Sequence, residues 1–118
     1  MDHFPIFIAT QTARIIVSGS GDAALAKLRL LMKTRAKITV FAADPAQEIT
    51  QWHHAGKLTL VPRAMDYGDA VCARLFYGAN EDAEEDARAA HLALTCGALI
   101  NIVDNLEDSQ FITPAIVD

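Results

Sequence analysis

The sequence predicts an α/β fold, a mostly parallel sheet with helices on both of its faces. Short β-branched segments alternate along the chain with segments whose apolar residues recur every three or four positions, the spacing of one helix face. Most of the β-branched segments show no polar alternation, which is typical of strands buried on both sides in a parallel sheet. The 118 residues fit one domain, predicted to span 1–118.

The first half of the chain is predicted to form a strand, a helix and a second strand. Residues 14–18 are β-branched and end at a glycine turn. Residues 22–34 carry an apolar helix face, with basic residues toward the end, where they suit the helix dipole. Residues 37–42 form the second strand.

The second helix is predicted from its start signal. Asp44 is expected to cap it, and Pro45 to take its first position, with a glutamine three residues after the cap. Gly56 is expected to end this helix. Residues 58–61 then form the third strand, and residues 65–70 form a loop with a single turn.

The last third of the chain continues the alternation. Residues 72–78 and 99–103 are predicted as the fourth and fifth strands. Between them, Asn80 is expected to cap a helix whose acidic opening is stabilised by the helix dipole, and Gly97 is expected to end it. The packing stripe of this helix is predicted to be Ala83, Ala87, Ala90 and Leu94.

Composition excludes several classes of protein. The net charge of −5 argues against a nucleic-acid surface, and 52% apolar residues argue against disorder. No secretory leader or membrane span is recognisable, and Cys72 and Cys96 lie in no paired motif. The adjacent His53 and His54 lack the spacing of helical zinc ligands. We therefore expect a cytoplasmic protein with no metal site and no nucleic-acid or membrane partner.

The first strand, its glycine turn and the following helix match the G-x-G-x-x-G/A pattern of a Rossmann-like dinucleotide site. Gly19 permits the tight turn, Gly21 lets a pyrophosphate approach the backbone, and Ala24 lets helix and strand pack closely. The helix N-terminus then presents free N–H groups to the anion. The alternative is a tight turn that binds nothing.

Two acidic residues have open roles in this site. Asp22 either caps the helix or repels the phosphate, depending on where its carboxylate points. Asp44 follows the second strand slightly later than the acid that usually binds the ribose, so its side chain either caps the next helix or binds the ribose. Both roles are compatible if backbone atoms of Ala43 and Asp44 contact the adenosine. No basic residue stands there to bind a 2′-phosphate, which favours NAD over NADP.

Motifs along nearly the whole chain carry a more specific signal: MDHFPIF at 1–7, VSGSGD at 17–22, KLRLL at 27–31, GKLTLV at 56–61, ANED at 79–82, NIVD at 101–104 and FITPAIVD at 111–118. Together they resemble the N-terminal domain of siroheme synthases, the precorrin-2 dehydrogenase and sirohydrochlorin ferrochelatase family. The resemblance implies NAD-dependent oxidation of precorrin-2 to sirohydrochlorin and, in many members, insertion of ferrous iron into that product.

The resemblance also implies site residues. Asp104 of the Asn-x-Val-Asp motif is the expected catalytic acid/base. It also lies just past the end of a predicted strand, where α/β sheets place ligands, although a turn aspartate is the alternative. The expected cofactor contacts are Gly19, Ser20, Gly21, Asp22, Ala23, Ala43, Asp44 and Asn80.

Some features depart from the family pattern. Ala26 replaces a common Arg beside Lys27, and Gln110 replaces a small Ser. The family continues into a helical dimerisation region and often into a methyltransferase domain, and neither lies within these 118 residues. Because the resemblance implies a dimer formed through that region, we expect a homodimer at least in a longer chain. A partner or a following domain is expected to cover the apolar residues 111–118. The alternative function is a degenerate or truncated dinucleotide-binding or scaffold module without catalysis.

Overall fold

A computed structural model describes residues 1–114 as a five-stranded parallel sheet in the order β3-β2-β1-β4-β5. The strands are β1 (Arg14–Ser18), β2 (Lys37–Phe41), β3 (Thr59–Val61), β4 (Ala73–Gly78) and β5 (Leu99–Ile102). The helices are α1 (Asp22–Leu31), α2 (Gln47–His54) and α3 (Ala83–Thr95). The predicted α/β class and all five predicted strands are confirmed, and α1 ends three residues before its predicted end at Thr34.

Helices cover both faces of the sheet. On one face, Val17 of β1 packs in a cluster with Leu28 of α1 and Ile49 of α2. On the other face, Ile16 of β1 packs in a cluster with Ala93 of α3. Neighbouring residues of a strand point to opposite faces, so both must be apolar when both faces are covered. This explains why the strand segments lack polar alternation.

The prediction that Asp44 caps α2 is wrong. The N-cap is Ala46, in extended conformation, and no side chain accepts a hydrogen bond at this helix start. The Ala46 N–H instead donates to the Ser20 hydroxyl, with 2.6 Å between N and Oγ. Pro45 holds the residue before it in an extended conformation, which favours a later helix start. Asp44 is exposed in the loop between β2 and α2.

The prediction that Asn80 caps α3 is also wrong. The cap is Asp82, whose carboxylate accepts hydrogen bonds from the backbone N–H groups of Glu84 and Glu85 at 3.0 and 3.2 Å. Glu81 takes a left-handed backbone conformation with φ of 58°, so the chain turns before the helix begins. The Asn80 side chain makes tertiary hydrogen bonds instead.

The packing stripe of α3 was predicted correctly at Ala90 only, since Ala83, Ala87 and Leu94 are exposed. The prediction assumed that every acid near the start of this helix faces water. Asp86 is 6% exposed, because hydrogen bonds from Asn80 compensate its burial. The residues buried from α3 are Asp86, Ala89, Ala90 and Ala93.

The segment after β5 covers the outer edge of the sheet. The Gln110 side chain accepts a hydrogen bond from the Ile100 N–H at 3.0 Å, and the Ser109 hydroxyl accepts one from the Ile102 N–H at 2.9 Å. Unpaired N–H groups on an edge strand invite association with another chain, and these side chains satisfy them. Gln110 therefore has a structural role at a position where it departs from the family pattern.

A partner or a following domain was expected to cover the apolar residues 111–118. For Phe111, the first of these residues, the domain itself provides the cover. The Phe111 ring meets the Tyr77 ring edge-on, with 5.3 Å between ring centroids, and packs against the core beside α1. Residues 115–118 lie outside the described residues. Within 1–114, no helix is long and apolar enough to cross a membrane.

Candidate functional site

The loops that follow β1, β2, β4 and β5 leave the sheet at the same edge, because all the strands are parallel. The order of the strands reverses between β1 and β4, which is the switch point where open α/β sheets bind ligands. The predicted cofactor residues lie in the loops after β1, β2 and β4 and in the first turn of α1, and Asp104 lies in the loop after β5.

Gly19 forms the tight turn after β1. Its φ is +134°, and a Cβ placed on it would overlap the Ala79 carbonyl and lie 2.9 Å from the Asn80 nitrogen. Its own N–H donates to the Phe41 carbonyl at 3.0 Å. Only a glycine allows the backbone after β1 to approach the end of β2 and the loop after β4 so closely.

The N-terminus of α1 lies directly after this turn. Gly21 is the N-cap and provides no side chain to satisfy the first N–H groups of the helix. Asp22 is the first helical residue and is exposed, so the alternative in which it caps the helix is wrong. Free N–H groups at a helix start attract an anion, and the predicted pyrophosphate position has that character here.

The Glu81 carboxylate lies over the glycine turn. Its Oε1 accepts a hydrogen bond from the Ala23 N–H at 3.4 Å, and its Oε2 lies 2.9 Å from the position of a Cβ on Gly21. A carboxylate of this chain therefore occupies the anion position at the start of α1. Glu81 belongs to the acidic segment that the sequence predicts at a solvated helix start, and no local pattern shows that its backbone turns it toward α1.

Asn80 joins the loop after β4 to the end of β1. Its Nδ2 donates to the Ser18 hydroxyl at 3.0 Å and to Asp86 Oδ1 at 2.9 Å, and its backbone N–H donates to Asp86 Oδ1 at 2.9 Å. Its Oδ1 takes no part in these bonds. Asp86 precedes two buried alanines of α3, Ala89 and Ala93, by three and seven residues. This spacing, which puts the three residues on one helix face, was a sequence signal for the burial of Asp86.

Ser20 connects the glycine turn to the loop after β2 through its hydrogen bond with Ala46. Ala43 and Asp44 are exposed in that loop. Since Asp44 does not cap α2, its carboxylate is available at the position where a dinucleotide ribose is usually bound. The structure therefore brings the loops that carry the predicted cofactor residues to one place.

Asp104 occupies a left-handed turn beyond β5, with φ of 61°, and it is exposed. The preceding Val103 N–H donates to the Gly78 carbonyl at 2.9 Å, which ties this turn to the end of β4. Aspartate adopts left-handed conformations more readily than most residues. Asp104 lines a cavity of about 370 Å³ together with Lys27 of α1, a residue that sequence analysis did not assign to the site.

No group of three or more His, Cys, Asp or Glu residues in the described part of the chain is arranged to hold a metal ion. Both cysteines are free thiols. The chemistry that this edge of the sheet offers therefore comes from backbone N–H groups, from hydroxyl and amide groups, and from the carboxylates of Asp44, Glu81 and Asp104.

A model of the NAD(P)-binding family NAD_binding_7 matches residues 6–115. This chain belongs to that family. The membership confirms the predicted dinucleotide cofactor, since the pattern at Gly19 and Gly21 lies within the matched residues.

Similar proteins cover the whole chain. It is 36% identical over 118 residues to the siroheme synthase of Pseudoalteromonas atlantica. It is 37% identical over 120 residues to that of Chromobacterium violaceum and 34% identical over 118 residues to that of Escherichia coli O1:K1. All of this chain is matched in each case, but it spans only about a quarter of the relatives, 25–26% of their length. The resemblance to siroheme synthases is confirmed.

A solved structure shows the same fold. It is titled SirC, precorrin-2 dehydrogenase, and it matches with a TM-score of 0.82 and 19% sequence identity, over 96% of this chain and 55% of that one. This likeness confirms the predicted Rossmann-like architecture.

Proposed function

We propose that this chain is the NAD-dependent precorrin-2 dehydrogenase domain of siroheme biosynthesis, and that it oxidises precorrin-2 to sirohydrochlorin. The observation that carries the proposal is the glycine turn at the switch point of the sheet, with Asp104 at the same edge. The names of the relatives and of the structural neighbour support this reaction. Those names give no support to the alternative of a scaffold without catalysis.

The residues at the switch point fit a dinucleotide. Gly19 and Gly21 add no side chain beside the backbone, and the N–H groups of α1, such as that of Ala23, become available to a pyrophosphate when it displaces the Glu81 carboxylate. In this proposal Ala43 and Asp44, which are exposed in the loop after β2, contact the adenosine, and Asn80 contacts the dinucleotide from the loop after β4. The Asp44 carboxylate can accept a hydrogen bond from a ribose hydroxyl and would repel a 2′-phosphate, which favours NAD.

Asp104 supplies the acid/base chemistry of the proposal. NAD, when bound, supplies the acceptor for the hydride that the substrate loses. Oxidation also releases a proton from the substrate, and the Asp104 carboxylate accepts that proton on one of its oxygens. Its exposure at the end of the sheet lets water take the proton afterwards.

Iron insertion and homodimerisation stay predictions from the resemblance. Ferrous iron enters such a reaction as a substrate, and no observation on the described residues favours a site for it. We therefore confine the proposed activity to the oxidation step, with precorrin-2 as the substrate.

Calorimetric titration with NAD, followed by an anaerobic assay with precorrin-2, tests the proposal. We expect saturable NAD binding that Gly21→Asp abolishes, because the new carboxylate would stand at the pyrophosphate position. Gly68→Asp is the charge control, since a Cβ in that exposed loop meets nothing within 4 Å and aspartate adopts the φ of +81° more readily than most residues. No binding at millimolar NAD contradicts the cofactor site, and binding without any turnover favours the non-catalytic module.

A further inference from the structure

The cavity that Asp104 lines is also lined by a cationic side chain, that of Lys27. Its volume is about 370 Å³, and it lies between α1 and the segment that follows β5. Lys27 is the only cationic residue among those that line it. The other polar lining residues are Asn101, Asp104, Asn105, Ser109 and Thr113.

The Lys27 ammonium makes no ion pair in the described part of the chain, although Asp104 lines the same cavity. No carboxylate among residues 1–114 lies within the 4.0 Å of an ion pair with Lys27 Nζ. Its neighbour is the ring of Tyr77, whose centroid is 5.8 Å away. An aromatic face attracts a cation but does not neutralise it, so a ligand that brings a negative charge gains an ion pair here.

Tyr77 gives this cation a fixed support. The ring is 3% exposed, and its hydroxyl shares a hydrogen bond with the Thr113 hydroxyl at 2.7 Å. Burial raises the pKa of the phenol, so the hydroxyl stays neutral and contributes no negative charge. The ring beside the Lys27 ammonium is thus held in place and uncharged, and Lys27 lines the cavity next to it.

A single ligand can reach both charged groups of the cavity. Both line one cavity of about 370 Å³, which is at the small end of ligand pockets and so takes only part of a large ligand. We propose that Lys27 binds a carboxylate of the substrate and thereby positions a substrate ring against Asp104. This inference rests on the proposed function, because it assumes a substrate that carries carboxylates and loses a proton to Asp104.

Binding of uroporphyrin III, a stable tetrapyrrole polycarboxylate, tests the inference through the quenching of its fluorescence. Lys27→Met keeps the apolar stem and removes the charge, and we expect about tenfold weaker binding, the loss of one charge-assisted hydrogen bond. The salt dependence of binding should decrease as well, which a purely structural role would not cause. Lys27→Arg should restore most of the affinity. Lys57→Met, at an exposed lysine away from this cavity, should have no effect.

Three outcomes would overturn the inference. These are equal porphyrin affinity of Lys27→Met and the wild type, weaker NAD binding by Lys27→Met, and no porphyrin binding by the wild type. Weaker NAD binding would place Lys27 in the dinucleotide site instead. Failure of the proposed function would be seen separately, as the absence of NAD binding by the wild type.

Discussion

The backbone carbonyl of Ala79 lies where a Cβ on Gly19 would have to be. The turn that follows β1 and the loop that follows β4 are therefore in direct backbone contact, and the Ala79 N–H donates to the Ser18 carbonyl at 2.8 Å beside it. This contact joins the loops after β1 and β4 at the point where the order of the strands reverses. The dinucleotide site and the position of Glu81 both depend on it.

Gly19→Ala should destabilise the protein by about 3 kcal/mol or more, because it adds steric overlap to a backbone conformation that alanine rarely adopts. Urea denaturation measures this loss. Gly21→Ala is the control, because its φ is −85° and its added methyl meets only the end of the flexible Glu81 side chain. It should fold with near wild-type stability and bind NAD weakly. Equal stability of the two variants would contradict the close contact.

Asp86→Ala should cost about 2–4 kcal/mol of unfolding free energy, because it leaves the backbone N–H and the Nδ2 of Asn80 without their acceptor. Asp86→Asn keeps one acceptor oxygen and should cost clearly less. Both values come from chemical denaturation at neutral pH. If the alanine variant is as stable as the wild type, the hydrogen bonds of this buried carboxylate do not hold the loop.

Glu81→Gln should increase NAD affinity about two- to fivefold, because it removes a negative charge that competes for the start of α1. Titration calorimetry with NAD measures the change. Glu84→Gln is the matched control, since this exposed glutamate lies in the first turn of α3. Unchanged or weaker NAD binding by Glu81→Gln would show that the carboxylate does not compete with the dinucleotide.

The pair of Arg63 and Asp69 should contribute to stability at neutral pH and not in acid. Two hydrogen bonds of 2.6 and 3.0 Å from Arg63 lower the pKa of the Asp69 carboxyl in the folded state. Its contribution is therefore present above the unfolded pKa of about 3.9 and is lost as pH falls through the lower folded value. Asp69→Asn should be less stable than the wild type at pH 6, and the difference should shrink below about pH 4. A constant difference across that range would contradict the pKa shift.

The order of strands and helices could be predicted because it depends on local periodicity and on glycines at Gly19 and Gly97. The start of α1 at Asp22 was also predicted correctly, but the starts of α2 and α3 could not be predicted, because tertiary partners decide them. Asn80 bonds to Ser18, 62 residues away in sequence, and the Ala46 N–H bonds to Ser20, 26 residues away. Such long-range partners leave no trace in a local capping pattern.

Long-range contacts also limit what the sequence predicts about the candidate site. Asp104 and the glycine turn could be predicted as candidates because each follows a recognisable strand end or motif. Lys27 and Glu81 were missed because their places depend on which way one helix faces and on a single left-handed residue.

The central claim is best tested by anaerobic turnover of precorrin-2 with NAD, comparing the wild type with Asp104→Asn. Asparagine keeps the size of the side chain and tolerates the left-handed turn, but it cannot accept the proton. We predict that the wild type forms NADH and sirohydrochlorin in equal amounts, and that Asp104→Asn binds NAD with unchanged affinity and turns over at least a hundredfold more slowly, within the usual range for a general base. Equal turnover by the two proteins, or NAD binding by the wild type without any NADH formation, would contradict the account.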